Sequence, residues 1–444
     1  MLYDVITIGG GLAGATLAKN LAEHGYRVLV LERETRFRDR VRGEQMHPWG
    51  VAEARALGIY DHLAATCGHQ TRMWLTYQGT SLVERRDLAA TTPHGVGSFN
   101  CYHSAMQEAV LNLAVEAGAE VRRGITVEGM VPGSPSSVQV CVNGQRRVLQ
   151  ARLVVGADGR ASQVRRWGGF AVNHDPDGLV IAGTLLEGTS VPDDTTFAVR
   201  GLDGFMLMAP LGKQRARTYF ISPKCEGRRP LSGDTQIPAF LAACRNTGAP
   251  AAWFDQATIA GPLAQFNGAD HWVDHPAREG VVLVGDAAAA SDPSYGCGLS
   301  LALMGVRHLR DCLLSIPDWR AASEQYAQEH ARYYGAVHRI TSWLKALRWS
   351  TGPAADERRA RMLARVAAEP SRMPDLLGLG PDAPSDDATR RFLLGEQSAD
   401  CSAEGGTSHL IAGRQLQRDS QGAQHPLGVG LNERLRLHAN AATL

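Results

Sequence analysis

The chain has 444 residues, a formal net charge of +1 and an isoelectric point near 7.7. That length points to two interleaved domains rather than one core, and so balanced a charge offers no basic field for nucleic acid. Only four of the 46 basic residues are lysines (Lys19, Lys213, Lys224, Lys345), and the eight cysteines form no CxxC pair, so neither a disulfide framework nor a metal site is expected.

Asp4–Ile8 is a β-branched apolar run that reads as a buried parallel strand, starting almost at Met1. Gly9, Gly11 and Gly14 follow in GxGxxG spacing, with Ala13 between them, and a helix opens through Leu12–His24. This pattern suits a pyrophosphate: one glycine for the tight turn, one for close backbone approach, one for helix–strand packing. Arg27–Leu31 is the second strand, and Glu32 stands at its end, where an acid accepts from a ribose hydroxyl. An arginine-rich connection, Arg36–Arg42, leads through Gly43–Trp49 to a helix at Val51–Leu57.

Met73–Asp87 alternates around Gly79 as a strand pair, and Ser104–Ala117 is an amphipathic helix ended by Gly118. Val138–Val142 turns at Asn143-Gly144 into Arg147–Leu153, a hairpin by its turn chemistry. Leu153–Val155 then closes on Gly156-Ala157-Asp158-Gly159, with Ser162 and Arg165 beyond. Leu179–Leu185, Thr195–Arg200, Phe205–Ala209 and Arg217–Ser222 read as an antiparallel sheet. Alternation puts Phe205 and Leu207 on one face of that sheet and Met206 and Met208 on the other; either face is a core face or a pocket wall. Val281–Val284 is a further buried strand, ending in Gly285-Asp286 and followed by Pro293, Gly296, Gly298 and Leu299. Helices are expected at Leu309–Leu314, Ala321–Trp349 and Asp356–Ala368, and from Glu396 the chain turns polar and loses periodicity.

Val5–Gly14, Val154–Arg166 and Val281–Ser300, taken together, resemble the FAD-dependent aromatic hydroxylases, the p-hydroxybenzoate hydroxylase type of flavoprotein monooxygenase. The resemblance covers roughly the first 350 residues. It implies an α/β fold: a Rossmann-like FAD-binding domain (1–72, 97–170, 272–345) interleaved with a smaller antiparallel β-sheet substrate domain (73–96, 171–271). C-terminal helices (346–395) and an irregular polar tail (396–444) complete the expected order. It implies FAD as cofactor, with Glu32, Arg33, Arg42, Gln107, Asp158 and Asp286 around it and His103 as a further candidate. NADPH or NADH is the implied reductant, entering near Asp158 and Arg42. PxxGxG at Pro293–Gly298 would aim a helix N-terminus at the flavin ring.

The activity so implied is insertion of one oxygen from O2 into an apolar or aromatic small molecule through a flavin C4a-hydroperoxide. His47 and Tyr295 are the polar groups expected nearest the ring, and Phe205, Met206 and Met208 the pocket candidates. Neither a nucleic acid nor a membrane is an expected partner, the location is expected to be cytoplasmic, and oligomeric state stays open. This sequence departs from the family at Ala289, Ser300 and Gly305, and Cys297 inside PxxGxG reads as a small buried thiol rather than a covalent flavin link. Two other enzyme readings share the motifs. A halogenase would need a lysine near the flavin and a WxWxIP stretch, whereas no lysine lies between Lys19 and Lys213. An isoprenoid-type flavin reductase would need an aromatic signature that is absent. A non-enzymatic flavin-binding module would have no use for a roofing sheet.

Overall fold

The structure is a computed structural model in which residues 2–142 and 144–395 are described; the expected polar tail and Asn143 lie outside the described residues. Leu2–Ile8 is central in the first sheet, because its side chains are buried on both faces. Val28–Glu32 and then Glu120–Arg123 run parallel to it on one side. Gln145–Gly156 and then Val281–Leu283 run parallel on the other, and Ala277–Arg278 closes that edge antiparallel. Alternate residues feed two cores. Val5, Val28, Val155 and Val282 point to the side of the first helix, Leu12–Glu23, with Leu17, Val110 and Leu303. Ile6, Leu29, Val154 and Leu283 point to the other side, with Val138, Val164 and Phe170.

The second sheet joins segments far apart in sequence. Leu179–Glu187, Arg215–Pro223, Phe205–Gly212 and Thr195–Arg200 pair antiparallel in that order, as alternation predicts. One pairing differs from the expected antiparallel sheet: Met73–Gln78 adds to Thr195–Arg200 in parallel. That strand belongs to the hairpin Met73–Gln78/Ser81–Asp87, so no short turn links it to its neighbour and antiparallel pairing is not imposed.

A third, three-stranded sheet leaves no pattern in the sequence; Ser98–Cys101 is flanked there by Gln45–Met46 and Gly68–Thr71. Each strand is too short for a period to show. No helix is expected either at Ile237–Asn246, where one packs Phe240 and Cys244 on the second sheet. The helix expected at Leu309–Leu314 is longer, Gly298–Ser315, and begins at the PxxGxG turn itself. The helix expected at Val51–Leu57 runs Pro48–Ala56, starting a turn earlier, with Leu57 as its C-cap.

By contact the chain divides into Met1–Ser342 with Asp375–Ala383, and Trp343–Pro374 with Pro384–Leu444. In the second unit the helix Pro353–Ala368 is tied to Asp387–Leu394 by Arg365, whose Nη1 donates to the carbonyls of Arg391 at 2.9 Å and Phe392 at 3.3 Å. Among the described residues no helix is long and apolar enough to cross a membrane.

Candidate functional site

The three glycines do different things. Gly9 has φ +103°, and a Cβ there would lie 2.4 Å from the Ala157 carbonyl oxygen. At Gly14 a Cβ would lie 2.0 Å from the Gly9 oxygen, so Gly9 and Gly14 let the turn, the helix and the Asp158 loop close on one another. Gly11 is different: its Cβ would meet only Gln107 Nε2, at 3.4 Å. Gly11 caps the Leu12–Glu23 helix with no side-chain hydrogen bond and no acid in the first turn. Free N–H groups, a positive dipole end and space for backbone approach fit a pyrophosphate.

Glu32 is buried, its carboxylate accepting from Gly10 N–H and Glu34 N–H, each at 2.7 Å, which fixes it at the rim of the cradle. Arg33 is exposed and pairs with Glu34. Asp158 turns inward: it accepts from Ser162 Oγ at 2.6 Å and from the N–H groups of Gln163 and Val164 at 2.6 and 3.2 Å. Its carboxylate therefore holds the start of the Gln163–Trp167 helix.

Asp286 carries the strongest sign of a missing partner. Among the described residues no hydrogen bond to its carboxylate is found, and burial raises its pKa although Arg160, Arg42, His103 and Arg165 all pull it down. A half-buried carboxylate with open lone pairs fits a polyol such as the ribityl chain. Arg42, held 5.2 Å over the Phe266 ring, is pushed down by burial and by Arg160. His103 Nδ1 donates to the Gly43 carbonyl at 2.8 Å, and Leu299 packs on the same glycine. Ala13 faces Gly285. Gln107, Arg42, His103, Leu299 and Asp286 thus gather about one site. Arg160 was not anticipated; its only sequence signal is its place directly after the Asp158-Gly159 pair.

The PxxGxG turn is built as expected. Asp292 accepts from Ser294 N–H at 2.9 Å, Gly296 takes φ +67°, and the helix starts at Gly298 without a side-chain cap or an acid in its first turn. A Cβ on Gly298 would touch nothing nearer than Ser291 Oγ at 4.0 Å. His47 and Tyr295 come together: His47 Nε2–H donates to the Tyr295 carbonyl at 2.7 Å. Burial lowers the His47 pKa, so the ring is neutral and its Nδ1 is an acceptor. Ser300 Oγ accepts from His47 N–H at 3.2 Å and fills the space left by Gly50, where a Cβ would lie 2.1 Å from it. Gly305, one of the departures noted above, packs under the Tyr333 hydroxyl, 2.8 Å from where a Cβ would stand. Cys297 is fully buried and burial pushes its thiol up, which suits the small neutral thiol.

The pocket candidates separate. Met206 and Met208 are fully buried with Phe240, Cys244 and Trp253, on the face away from the cradle. That placement corrects them to core residues, since their alternation phase matches Phe220 and Ala182. Phe205 lies on the opposite face, in phase with Leu207 and Tyr219. That face also carries a buried network invisible in the sequence. Arg217, fully buried, lies 2.8 Å from Asp39 and 3.0 Å from Glu44, and Tyr219 donates to Glu44. Burial pushes the Glu44 carboxyl up against the pull of Arg217. An arginine and a tyrosine two apart in an apolar strand was the signal available.

One cluster bears on metals. Donor atoms of Asp175, Asp270 and His338 lie within 4.8 Å of one another, with His338 Nε2 paired to Asp175 at 3.1 Å and Tyr334 donating to Asp270 at 3.3 Å.

The family described as "FAD binding domain" matches residues 2–332. The chain belongs to that family. A relative, rifampicin monooxygenase of Streptomyces venezuelae, is 26% identical over 336 residues, covering 73% of this chain and 64% of that protein. Among solved structures, p-nitrophenol 4-monooxygenase of Pseudomonas putida superposes with a TM-score of 0.72 at 18% identity, over 86% of this chain and 98% of that one. The myxobacterial chondrochloren halogenase has a TM-score of 0.69 at 21% identity, over 83% and 90% of the two chains. The two solved structures share the fold described above, and FAD is the cofactor the cradle fits.

Proposed function

We propose that the chain is a single-component FAD-dependent monooxygenase. NAD(P)H supplies the electrons, one oxygen of O2 enters an apolar or aromatic small molecule as a hydroxyl or epoxide, and the other leaves as water. The observation that carries this reading is the helix start at Gly298, uncapped and acid-free, beside the buried neutral His47.

When bound, FAD supplies hydride acceptance and oxygen activation. The chain's share is electrostatic and steric. The Gly298 N–H end favours negative charge on the group it faces, without reorganising. Asp286 and Glu32 orient hydroxyls, and the Gly11 helix end holds phosphate. His47 fixes the Tyr295–Gly296 turn through Nε2 and keeps Nδ1 as a neutral proton acceptor. The sheet face with Phe205, Leu207 and Tyr219 excludes water from this side. We assign the donor's phosphates to Arg42, and its place over the Phe266 ring with Asp286 nearby supports that reading.

The test is substrate-dependent consumption of NAD(P)H and O2 by the flavin-loaded chain. Arg42→Ala should slow flavin reduction by about tenfold or more, through loss of a charge-assisted contact worth roughly 1.5–3 kcal/mol. Turnover only with flavin reduced by a partner enzyme would instead establish a two-component system.

A further inference from the structure

The small three-stranded sheet is inverted relative to an ordinary surface sheet. One face, with Met46, Phe99 and Cys101, joins the main core. The register puts Gln45, Asn100, Ser98 and Thr71 on the other face, which is polar and still buried: Gln45 is 7% exposed and the others are fully buried. It packs on the substrate sheet, where Gln45 Nε2 lies 3.2 Å from Thr196 Oγ1 and Thr71 Oγ1 lies 3.1 Å from the same atom. His69, also on this face, is tied to the Asp193 carbonyl at 2.6 Å.

Several of these groups lack a partner. Among the described residues, Gln45 Oε1, Asn100 Oδ1, Ser98 Oγ and the neighbouring His47 Nδ1 are buried without a hydrogen bond. Two of them have a settled polarity. Asn100 Nδ2 donates to the Pro210 carbonyl at 2.8 Å, and a carbonyl only accepts, so Oδ1 is the open end of that amide. His47 likewise donates from Nε2 to the Tyr295 carbonyl, leaving Nδ1 as a lone pair. Gln45 and His47 both border the PxxGxG turn: a Cβ on Gly296 would lie 3.7 Å from Gln45 Oε1 and 3.1 Å from His47 Nε2. Buried acceptors without donors are rare because each forfeits its hydration, and a cluster of them implies something that supplies the donors.

We propose that this face is the hydrogen-bond-accepting wall of the substrate pocket, with Gln45, Asn100 and His47 selecting a neutral molecule that presents several O–H or N–H donors. A carboxylate offers only acceptors and meets lone pairs here. The inference rests on the monooxygenase reading for calling the ligand a substrate, but not for its binding.

The test uses the oxidised, FAD-loaded full chain with neither reductant nor turnover, reading flavin absorbance changes on titration. The probes are neutral polyhydroxylated two- and three-ring aromatics and the same skeletons bearing one carboxylate. The wild type should bind the neutral set at least about tenfold more tightly, and Gln45→Met should erase most of that preference. Gln45→Glu, of the same shape, should keep neutral donors and weaken the carboxylates further. A merely structural Gln45 would change melting temperature and leave the preference intact in both variants, which would overturn the proposal. Equal or tighter carboxylate binding, or no binding of any neutral probe, would overturn it as well. Binding without oxygen insertion would sink the reaction and leave the wall; oxygen insertion into carboxylate-bearing substrates alone would do the reverse.

Discussion

The cofactor cradle and the substrate wall are built from different material. The cradle is backbone: Gly9 and Gly14 are spaces into which a Cβ would drive 2.4 and 2.0 Å contacts, and the Gly11 helix end offers N–H groups rather than side chains. The wall and the ionic network are side chain: Gln45 and Asn100 stand on two strands of the small sheet and bond Thr196 and Pro210 of the second, while Arg217 and Tyr219 stand on the second sheet and reach Glu44, so each forms only after distant segments have come together. A backbone device leaves a local, contiguous trace in the sequence. A side-chain device made by tertiary packing leaves none.

The largest effects should separate the two halves of the cradle's own glycine set. Gly14→Val drives a side chain into the Gly9 carbonyl, beyond the ~1–3 kcal/mol of ordinary overpacking, and should leave little folded protein. At Gly11 the Cβ of a valine would come no nearer than 3.4 Å, to Gln107 Nε2, so Gly11→Val should melt closer to the wild type than Gly14→Val while losing FAD. Equal melting losses at both positions, measured by thermal unfolding with flavin content, would mean that Gly11 is a packing glycine. On the wall side, Arg217→Met leaves Glu44 and Asp39 buried without their cation and should cost about 3–5 kcal/mol in urea unfolding. A loss below about 1 kcal/mol would show that the carboxyls are already neutral.

How much was legible follows the same division. The parallel order around Leu2–Ile8, the Glu32 acid and the turn at Gly296 could be read, because strand, helix and glycine spacing are local. Asp158 shows the limit of such reading: its loop closes on Gly9 in the cradle while its carboxylate caps its own helix, and Asx capping looks the same in sequence as ligand binding. Met206 and Met208 were placed with Phe205 because alternation gives two faces without saying which is the core. The Arg217–Glu44–Asp39 network and the three-stranded sheet join segments more than 50 residues apart, or strands of two to four residues. No window-based pattern contains them.

An intermediate effect tests the one side chain on which the cradle depends most. Asp286→Ala removes an acceptor that has no partner within the described residues, so the apo protein should be no less stable. Because burial raises the Asp286 pKa, removing it should even relieve a small strain above that pKa. FAD affinity should fall by roughly 1.5–3 kcal/mol, about ten- to a hundredfold in Kd by flavin titration. Unchanged affinity would remove Asp286 from the cofactor site.

The smallest effect concerns titration, which a backbone device escapes and a side-chain device does not. His330 is 3% exposed, stacks on Tyr334 at 5.7 Å, and its Nδ1 has no partner among the described residues. Burial pushes its pKa down to about 3. An unfolded histidine titrates near 6.5. Between those values the unfolded chain binds a proton that the folded chain does not, so folding stability rises with pH across the window and is lost on acidification. From pH 7.5 to pH 5 that is about 2 kcal/mol for this one ring, at up to 1.36 kcal/mol per unit below the unfolded pKa. His271, down to about 4 through burial and Arg160, adds to the same acid loss. His330→Phe keeps the aromatic stacking and removes the titration. Denaturant unfolding at pH 7.5 and pH 5 should therefore show the variant losing about 2 kcal/mol less than the wild type. Equal losses would mean that His330 is protonated in place, paired with a group that its present surroundings do not supply.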